Sequence, residues 1–527
     1  MANKMRKSVG GSNPAEWVID SWKKGLNTLV SDTRVDPQES PELLNMNLTE
    51  DGLPTKRGGT TAHRQAVGSR IRGLASYYMD SGSKYFLSAA AGTLSYDNGT
   101  AWTAIAAGSG CTIPDLNINF VQARDNLYLH TGGSAMSQLS GLTWTAPANG
   151  VSAKFGLYWK GRHVVSGNAS NPSRVFISRA DDAGHFITTG TDTTAEWFDV
   201  SKSDGDKITG LASFYDNLII FKERSIHKAV PSNSTTGDFI SKVETINRNI
   251  GCVSHRTIDS VDNDIFFLSR KGVFVLGNEP NFFDTLRTNE ITAKVHPEIE
   301  GITSQNFDKA SAFYHNYRYY LAYPHGGTTY NNRVLVYDTR YGAWTLHKGY
   351  TPNCFNAFID SNNNEELFIG SDSNGKVLQM ESGYGDDGAT IESYVKTYNN
   401  DLDSPDVTKF WMDTTTQFRN TQANVDVDVY IDGDVYKSQT FSIGRVGQSN
   451  GYGVTAFGEE VYGLGGGATI SSETTSNIMK RFRLKKRGQS QQVKVSNISN
   501  NETWTLMSLR GTYRPLSHFV FPSSDKV

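Results

Sequence analysis

Leu74-Ala75-Ser76-Tyr77-Tyr78, then Lys84-Tyr85-Phe86-Leu87-Ser88, is the stretch whose reading decides the fold, because the pair recurs. It returns as Leu211-Ala212-Ser213-Phe214-Tyr215 with Asn217-Leu218-Ile219-Ile220-Phe221, and as Ala310-Ser311-Ala312-Phe313-Tyr314 with Arg318-Tyr319-Tyr320-Leu321-Ala322. Each copy reads as a strand, a tight turn and a more hydrophobic strand. Looser copies are Phe120-Val121-Gln122 with Leu127-Tyr128-Leu129, Leu157-Tyr158 with His163-Val164-Val165, Thr257-Ile258-Asp259 with Ile265-Phe266-Phe267-Leu268, and Ala357-Phe358-Ile359 with Leu367-Phe368-Ile369. That makes seven copies, spaced about 47 residues apart between Leu87 and Phe368, near the ~40–50 residues of a propeller blade.

A second element follows the first. Leu94-Ser95-Tyr96-Asp97 leads through Asn98-Gly99 to Trp102, and Val334-Leu335-Val336-Tyr337-Asp338 leads through Gly342 to Trp344. Gly141-Leu142-Thr143-Trp144 is a shorter echo. A Trp opening an outermost strand covers the edge of the next sheet, so each unit reads as four antiparallel strands and seven units close a ring with protected edges. The fold expected is all-β: a β-propeller of about seven blades over 69–388, an N-terminal arm over 1–68 and a β-sandwich over 389–527.

Within the arm, residues 1–14 are polar and expected to be mobile. Ser40 and Pro41 suit the cap and first turn of a short helix near Pro41–Met46. Trp17, Trp22, Leu26 and Met46 are the anchors of this segment and the candidate assembly contacts. In the sandwich, Val425–Tyr430 alternates into the Asp432-Gly433 hairpin turn. The Gly- and Ser-rich residues 444–477 read as a long loop.

Composition narrows the function. The 527 residues carry a net charge of −3 with 20% charged residues, which argues against a wholly basic nucleic-acid binder. Cys111, Cys252 and Cys354 lack CxxC spacing and read as reduced core residues. No apolar run reaches the ~20 residues of a membrane span, and no secretory h-region is present.

Motifs for chemistry are scarce. There is no Walker loop or HExxH, and His130, His315 and His325 read as blade-edge or surface residues rather than metal ligands. Asp360–Glu366 has the alternating oxygens of a calcium loop, but Glu365 stands where Gly is needed, so a hairpin turn is favoured. Ser95-x-Asp97-x-Gly99-x-x-Trp102 resembles the Asp-box of sialidase-type propellers, a structural hairpin rather than an active site. No catalytic residue, metal site or cofactor is expected.

One charged run stands out. Lys480-Arg481-Phe482-Arg483-Leu484-Lys485-Lys486-Arg487 holds six basic residues in eight. As a strand it places Phe482 and Leu484 on one face and Arg481, Arg483 and Lys485 on the other. It reads either as a half-buried strand with a solvated charged face or as a contact for DNA backbone or an acidic partner, with Lys480, Arg481, Arg483 and Lys485 as the candidates.

Several motifs together resemble the propeller proteins of bacteriophage tails, the nozzle or tail-hub type also called tail tubular or packaged-DNA stabilisation proteins. They are Trp22-Lys23-Lys24-Gly25-Leu26-Asn27 with Asp36-Pro37, Leu44-Asn45-Met46 and Gly52 to Gly59; Leu218–Lys222 through Ile250-Gly251-Cys252 to Gly272-Val273-Phe274; and Thr503-Trp504-Thr505-Leu506 through Arg510 to Pro515. The resemblance implies a virion protein, assembled in the host cytoplasm into a ring, expected to be a homo-hexamer. It would sit on the portal–adaptor proteins, line and close the channel of the genomic DNA without sequence preference until ejection, and carry fibres or spikes. A tail-tip propeller that binds host glycan or protein is the alternative reading, with Tyr330 and Tyr341 as exposed aromatics; a hydrolase is a third.

Overall fold

The computed structural model describes residues 14–68, 70–90, 92–188, 195–232, 239–279, 282–360, 362–443 and 478–516. Residues 1–13, Ser69 and the loop expected over 444–477 lie outside the described residues. The chain forms two compact units. One comprises Thr60–Gly342 and His347–Ser382; the other comprises Met1–Gly59, Ala343–Leu346 and Gly383–Val527.

The first unit is a seven-bladed propeller. Blade one is Ile71–Tyr78, Lys84–Ala90, Thr93–Asp97 and Trp102–Ala104 in antiparallel order. Blades two to five repeat this meander, starting at Asn119–Ala123, Phe155–Trp159, Ile208–Phe214 and Asp259–Val261. Blade six holds Ser311–His315, Arg318–Tyr323 and Arg333–Asp338 within this unit. Blade seven is Pro352–Ile359, Glu365–Ser371 and Val377–Met380, and its fourth strand is Thr60–Ala62, from before blade one. All seven hairpins read from the sequence are present.

Every pair of adjacent blades is cemented by apolar side chains. Leu87 and Leu94 of blade one pack with Leu127, Leu139 and Trp144 of blade two. Tyr128 and Met136 meet Val165 of blade three, whose Val175 and Ile177 meet Leu218 and Ile220 of blade four. Ile219 and Phe221 meet Ile265 and Phe267 of blade five. The Phe266 ring lies 5.4 Å from Tyr319 of blade six, whose Tyr320 and Val336 meet Leu367 and Ile369 of blade seven. Phe368 and Val377 return to Phe86 and Trp102 of blade one, so the ring closes. Trp102 and Trp144 thus cover the neighbouring sheets as their positions predict. Burial of each such side chain contributes about 1.5–3 kcal/mol. Gly73 is required on its inner strand: a Cβ there would stand 2.7 Å from the Phe120 ring of the next blade.

The closure is pinned by charge. Just after Thr60–Ala62, His63 Nε2 lies 2.7 Å from Asp97 Oδ2, and Arg64 Nε donates to Asp97 Oδ1 at 2.9 Å. Asp97 also accepts from the Gly99 N–H at 2.9 Å, the turn of the Asp-box. Burial raises the Asp97 pKa, but the bonds from His63, Arg64 and Gly99 outweigh it and hold the carboxyl at about 2. The Asp of this motif therefore clasps the ring.

The second unit is a sandwich built on one 23-residue strand, Lys409–Ile431. Its first half lies between Ile478–Gly488 and Thr503–Pro515; its second half lies between Asp434–Ile443 and Gln491–Ser499. The two sheets face each other through Trp504 Nε1 donating to Ser393 Oγ (2.9 Å) and Gln491 Nε2 donating to Thr414 Oγ1 (2.6 Å). The leading segment is sewn into this unit. Ala15–Ile19 pairs with Leu509–Tyr513. The helix expected near Pro41–Met46 is absent: Glu42–Leu44 is a strand between Leu346 and Tyr394–Lys396. Ser40 does not cap; its hydroxyl donates to the carbonyls of Glu42 and Lys396 at 2.7 Å. Pairing on both edges, with Lys396 Nζ 2.9 Å from Glu42, overrides the local helix signal.

Among the described residues no helix is long and apolar enough to cross a membrane. Cys111 and Cys252 are buried, Cys354 is partly so, and all three are free thiols. Burial pushes Cys252 and Cys354 up to about 12.

Candidate polyanion interface

The basic run forms the strand Ile478–Gly488, paired on one edge with the first half of Lys409–Ile431. Among the described residues no strand pairs with its other edge. Phe482 and Leu484 are buried at 3% and 4% exposure, while Arg481, Arg483 and Lys485 are exposed, as the period of two requires. Lys480 shares the apolar face and is half-buried.

A bulge breaks the alternation. Arg483 stands opposite Asp413 and Lys486 opposite Trp411, so three steps on this strand span two on its partner. Lys485 supplies the extra residue in a left-handed conformation at φ 55°. The bulge is braced from the neighbouring hairpin: the Tyr436 hydroxyl donates to the Leu484 carbonyl and Lys437 Nζ to the Arg483 carbonyl, both at 2.9 Å. Lys485, Lys486 and Arg487 are consequently all exposed. Lys486 lies 5.2 Å from the Tyr436 ring centroid, and Arg481 is held by Asp413. Arg483, Lys485, Lys486 and Arg487 have no carboxylate partner among the described residues. Lys486 is the member that strict alternation misses.

The other candidates lie elsewhere. Trp17, Trp22, Leu26 and Met46 are 6%, 0%, 2% and 0% exposed, so each is covered by the chain's own residues. Trp17 lies against Gly511, opposite it in register. Arg57 reinforces the same seam, with Nη1 donating to Asp386 Oδ1 and Nε to Asn45 Oδ1, each at 2.9 Å.

His130 corrects the sequence reading. It is fully buried between blades two and three rather than at an edge, its Nε2 3.1 Å from Nε2 of His163. The cause is the packing of Tyr128, Val165 and Phe186 around the pair. His163 Nδ1 donates to the Ala183 carbonyl at 3.0 Å, so its Nε2 must accept from His130. His130 Nδ1 is then a bare acceptor, and it has no partner among the described residues. His315 and His325 are half-buried.

The Asp360 hairpin also resolves. Asp360 Oδ1 accepts from the N–H groups of Asn362 and Asn364, both at 2.8 Å. Lys84 Nζ donates to Asn363 Oδ1 at 3.1 Å and to the Asp360 carbonyl at 3.0 Å, so an ammonium stands where a metal would need these oxygens.

No protein-family model matches the chain, and no curated protein does. Solved structures to which it is similar include YCF48 bound to D1 peptide, at 12% identity over 64% of this chain and 97% of that one, with a TM-score of 0.36. The Cps50 (Swd1) β-propeller domain of Myceliophteria thermophila shares 8% identity over 61% and 99%, with a TM-score of 0.39. The Pan2 WD40 domain of Neurospora crassa shares 9% over 62% and 94%, with a TM-score of 0.34. The propeller assignment stands on the seven sheets and their contacts.

Proposed function

We propose that this chain is a structural protein of a bacteriophage tail, a nozzle or hub whose copies form a ring, a hexamer, around the genomic DNA. The ring joins portal–adaptor proteins on one side and carries fibres or spikes. The observation that carries the reading is the bulged edge strand, which presents Arg483, Lys485, Lys486 and Arg487 without acidic partners among the described residues. Such a row grips phosphates without reading bases, which suits a channel through which any sequence must pass. A heterologous contact that closes by rotation generates the ring. Mass photometry and negative-stain imaging of the full-length protein test it: six-fold rings that co-assemble with the portal–adaptor complex are expected. A monomer at every concentration, with no incorporation into particles, overturns it.

One observation favours the receptor-binding alternative. Trp197, on the outermost strand of blade three, is 48% exposed, with the Arg174 guanidinium 3.6 Å from its ring centroid and clamped by Asp199. Tyr330 is 38% exposed. Binding of the isolated protein to host cells, lost in Trp197→Ala, would select that reading.

A further inference from the structure

Across the core of the sandwich, a buried lysine rests on a buried side-chain amide. Lys56 ends the strand Pro54–Lys56, where Thr55 stands opposite Thr505 of Thr503–Pro515. Asn497 lies in the facing sheet, on Gln491–Ser499 and opposite Ser393. Lys56 is 4% exposed and Asn497 1%. Lys56 Nζ donates to Asn497 Oδ1 at 3.1 Å and to the Ser499 carbonyl at 2.8 Å. Among the described residues no carboxylate lies within ion-pair distance of this ammonium. On the far side of the amide, Asn497 Nδ2 donates to Glu502 Oε2 at 2.7 Å and to the Asn424 carbonyl at 2.8 Å. The Asn424 N–H and its Nδ2 both donate to Glu502 at 3.2 Å and fix the carboxylate there.

An amine, an amide and a carboxylate in this order are the parts of an acyl transfer. A primary amide is a poor electrophile. It yields to an amine only when the amine is neutral, held against it and served by a proton carrier. Burial pulls the Lys56 ammonium down to about 8, with Arg57 adding to the effect and Glu502 and Asp386 opposing it. A fraction of Lys56 is therefore the free amine near neutral pH, and the free amine is the nucleophile. The amide is oriented as the reaction needs. Its oxygen faces Lys56, and its nitrogen, the leaving group, faces Glu502. Glu502 itself is partly exposed, which gives the released nitrogen a way out.

We propose that Lys56 and Asn497 join in an intramolecular isopeptide bond, with Glu502 as the proton carrier. The Nζ lone pair swings from Oδ1 to the adjacent Cγ. The Nζ–Cγ bond forms, and the carbonyl electron pair moves onto Oδ1. That pair then returns, and the Cγ–Nδ2 bond breaks. Two of the three ammonium protons of Lys56 end on Nδ2, which leaves as ammonium, and Nζ keeps one as an amide N–H. Once Nζ and Nδ2 share a carbon, Glu502, already on Nδ2, stands beside both and relays the protons. The step needs neither oxidant nor cofactor. The partners are 441 residues apart, so the bond closes a covalent loop that contains the whole propeller unit and ties the two sheets of the sandwich together.

The test is the intact mass of the full-length protein, unfolded in acid after incubation near pH 8, where half of the Lys56 amine is neutral. A mass about 17 Da below that of the unlinked chain is expected, one ammonia lost. Proteolysis should then release a branched peptide joining the Lys56 and Asn497 segments. Lys56→Arg keeps the charge and the donors but lacks the nucleophilic amine, so it should show no loss. Glu502→Gln should form the bond at least about a hundredfold more slowly. Circular dichroism reads the fold of each variant, and the wild-type mass decides the matter whether or not the variants fold. A wild type of unlinked mass, an ammonia loss that yields no branched peptide, or a bond formed as fast in Glu502→Gln would each overturn the proposal.

Discussion

Neutralising the bulged strand should change how DNA binding responds to salt, by an amount that follows from counting charges. Arg481 is paired with Asp413, which leaves Arg483, Lys485, Lys486 and Arg487 to meet phosphates. Four phosphate contacts give a slope of log K against log salt of about −3.6 on duplex DNA. Affinity should therefore fall roughly 150-fold between 50 and 200 mM salt. Replacing all four by Gln should bring the slope close to zero, and replacing Arg483 and Lys485 alone should halve it. Phe482 and Leu484 are untouched, so the strand keeps its buried face. Fluorescence anisotropy of two duplexes of unrelated sequence, titrated at five salt concentrations, reads the slope and its independence of sequence. A wild-type slope shallower than about −1, or a quadruple variant with the wild-type slope, would refute the reasoning that these cations form a backbone grip.

Two further predictions concern the propeller's stability. Burial lowers His163 to about 4, against an ordinary value of about 6.5, so the unfolded chain takes up the proton first. Stability from this group is whole above about pH 6.5 and lost as pH falls toward 4; the loss is about 2 kcal/mol by pH 5. His163→Asn should be less stable at pH 7.5 but show a flatter acid limb in chemical unfolding, and an unchanged limb would count against the buried neutral pair. Asp97→Asn removes the charge that clasps His63 and Arg64, and should cost about 1–3 kcal/mol at neutral pH. Hydrogen exchange should then rise selectively over residues 60–68. In the wild type, the depressed Asp97 carboxyl keeps its contribution above the usual Asp value near 4 and loses it as pH falls through about 2.

The blades were legible because each is local: a hairpin such as Leu211–Phe221 carries its alternation, turn and apolar return strand within a dozen residues. What closes them was not. Thr60–Ala62 is three residues long and has no pattern of its own; it becomes a strand only beside Leu378–Met380. The same holds for Glu42–Leu44, where Ser40-Pro41 suggested a helix and partners on both edges made a strand. At the basic run, periodicity placed Arg481, Arg483 and Lys485 outward, but the bulge that adds Lys486 depends on its partner strand and on Tyr436. The contacts of the 3-10 turn His255–Thr257, where His255 stacks on Phe155 at 4.8 Å and Arg256 donates to the Asn353 carbonyl at 2.7 Å, were invisible for a similar reason. His255 and Arg256 look like any polar turn until blades distant in sequence meet them.

The sewing of Ala15–Ile19 against Leu509–Tyr513 also sets an order of events in folding. These partners are about 490 residues apart, so the first strand emerges from the ribosome long before its mate. Joining them through an unfolded chain of that length would carry a loop-closure cost that grows with the logarithm of its length. The propeller shortens the search. Thr60–Ala62 pairs with Leu378–Met380, and the Gly59 N–H donates to the Gly383 carbonyl at 2.8 Å, so a finished ring brings the two flanks together. The effective loop then shrinks from the whole chain to its outer segments. Propeller first, sandwich last is the sequence this topology favours. Until the last strand is made, Trp17 lacks the Gly511 segment it lies against, and the nascent chain carries an apolar side chain open to chaperones or to another copy of itself.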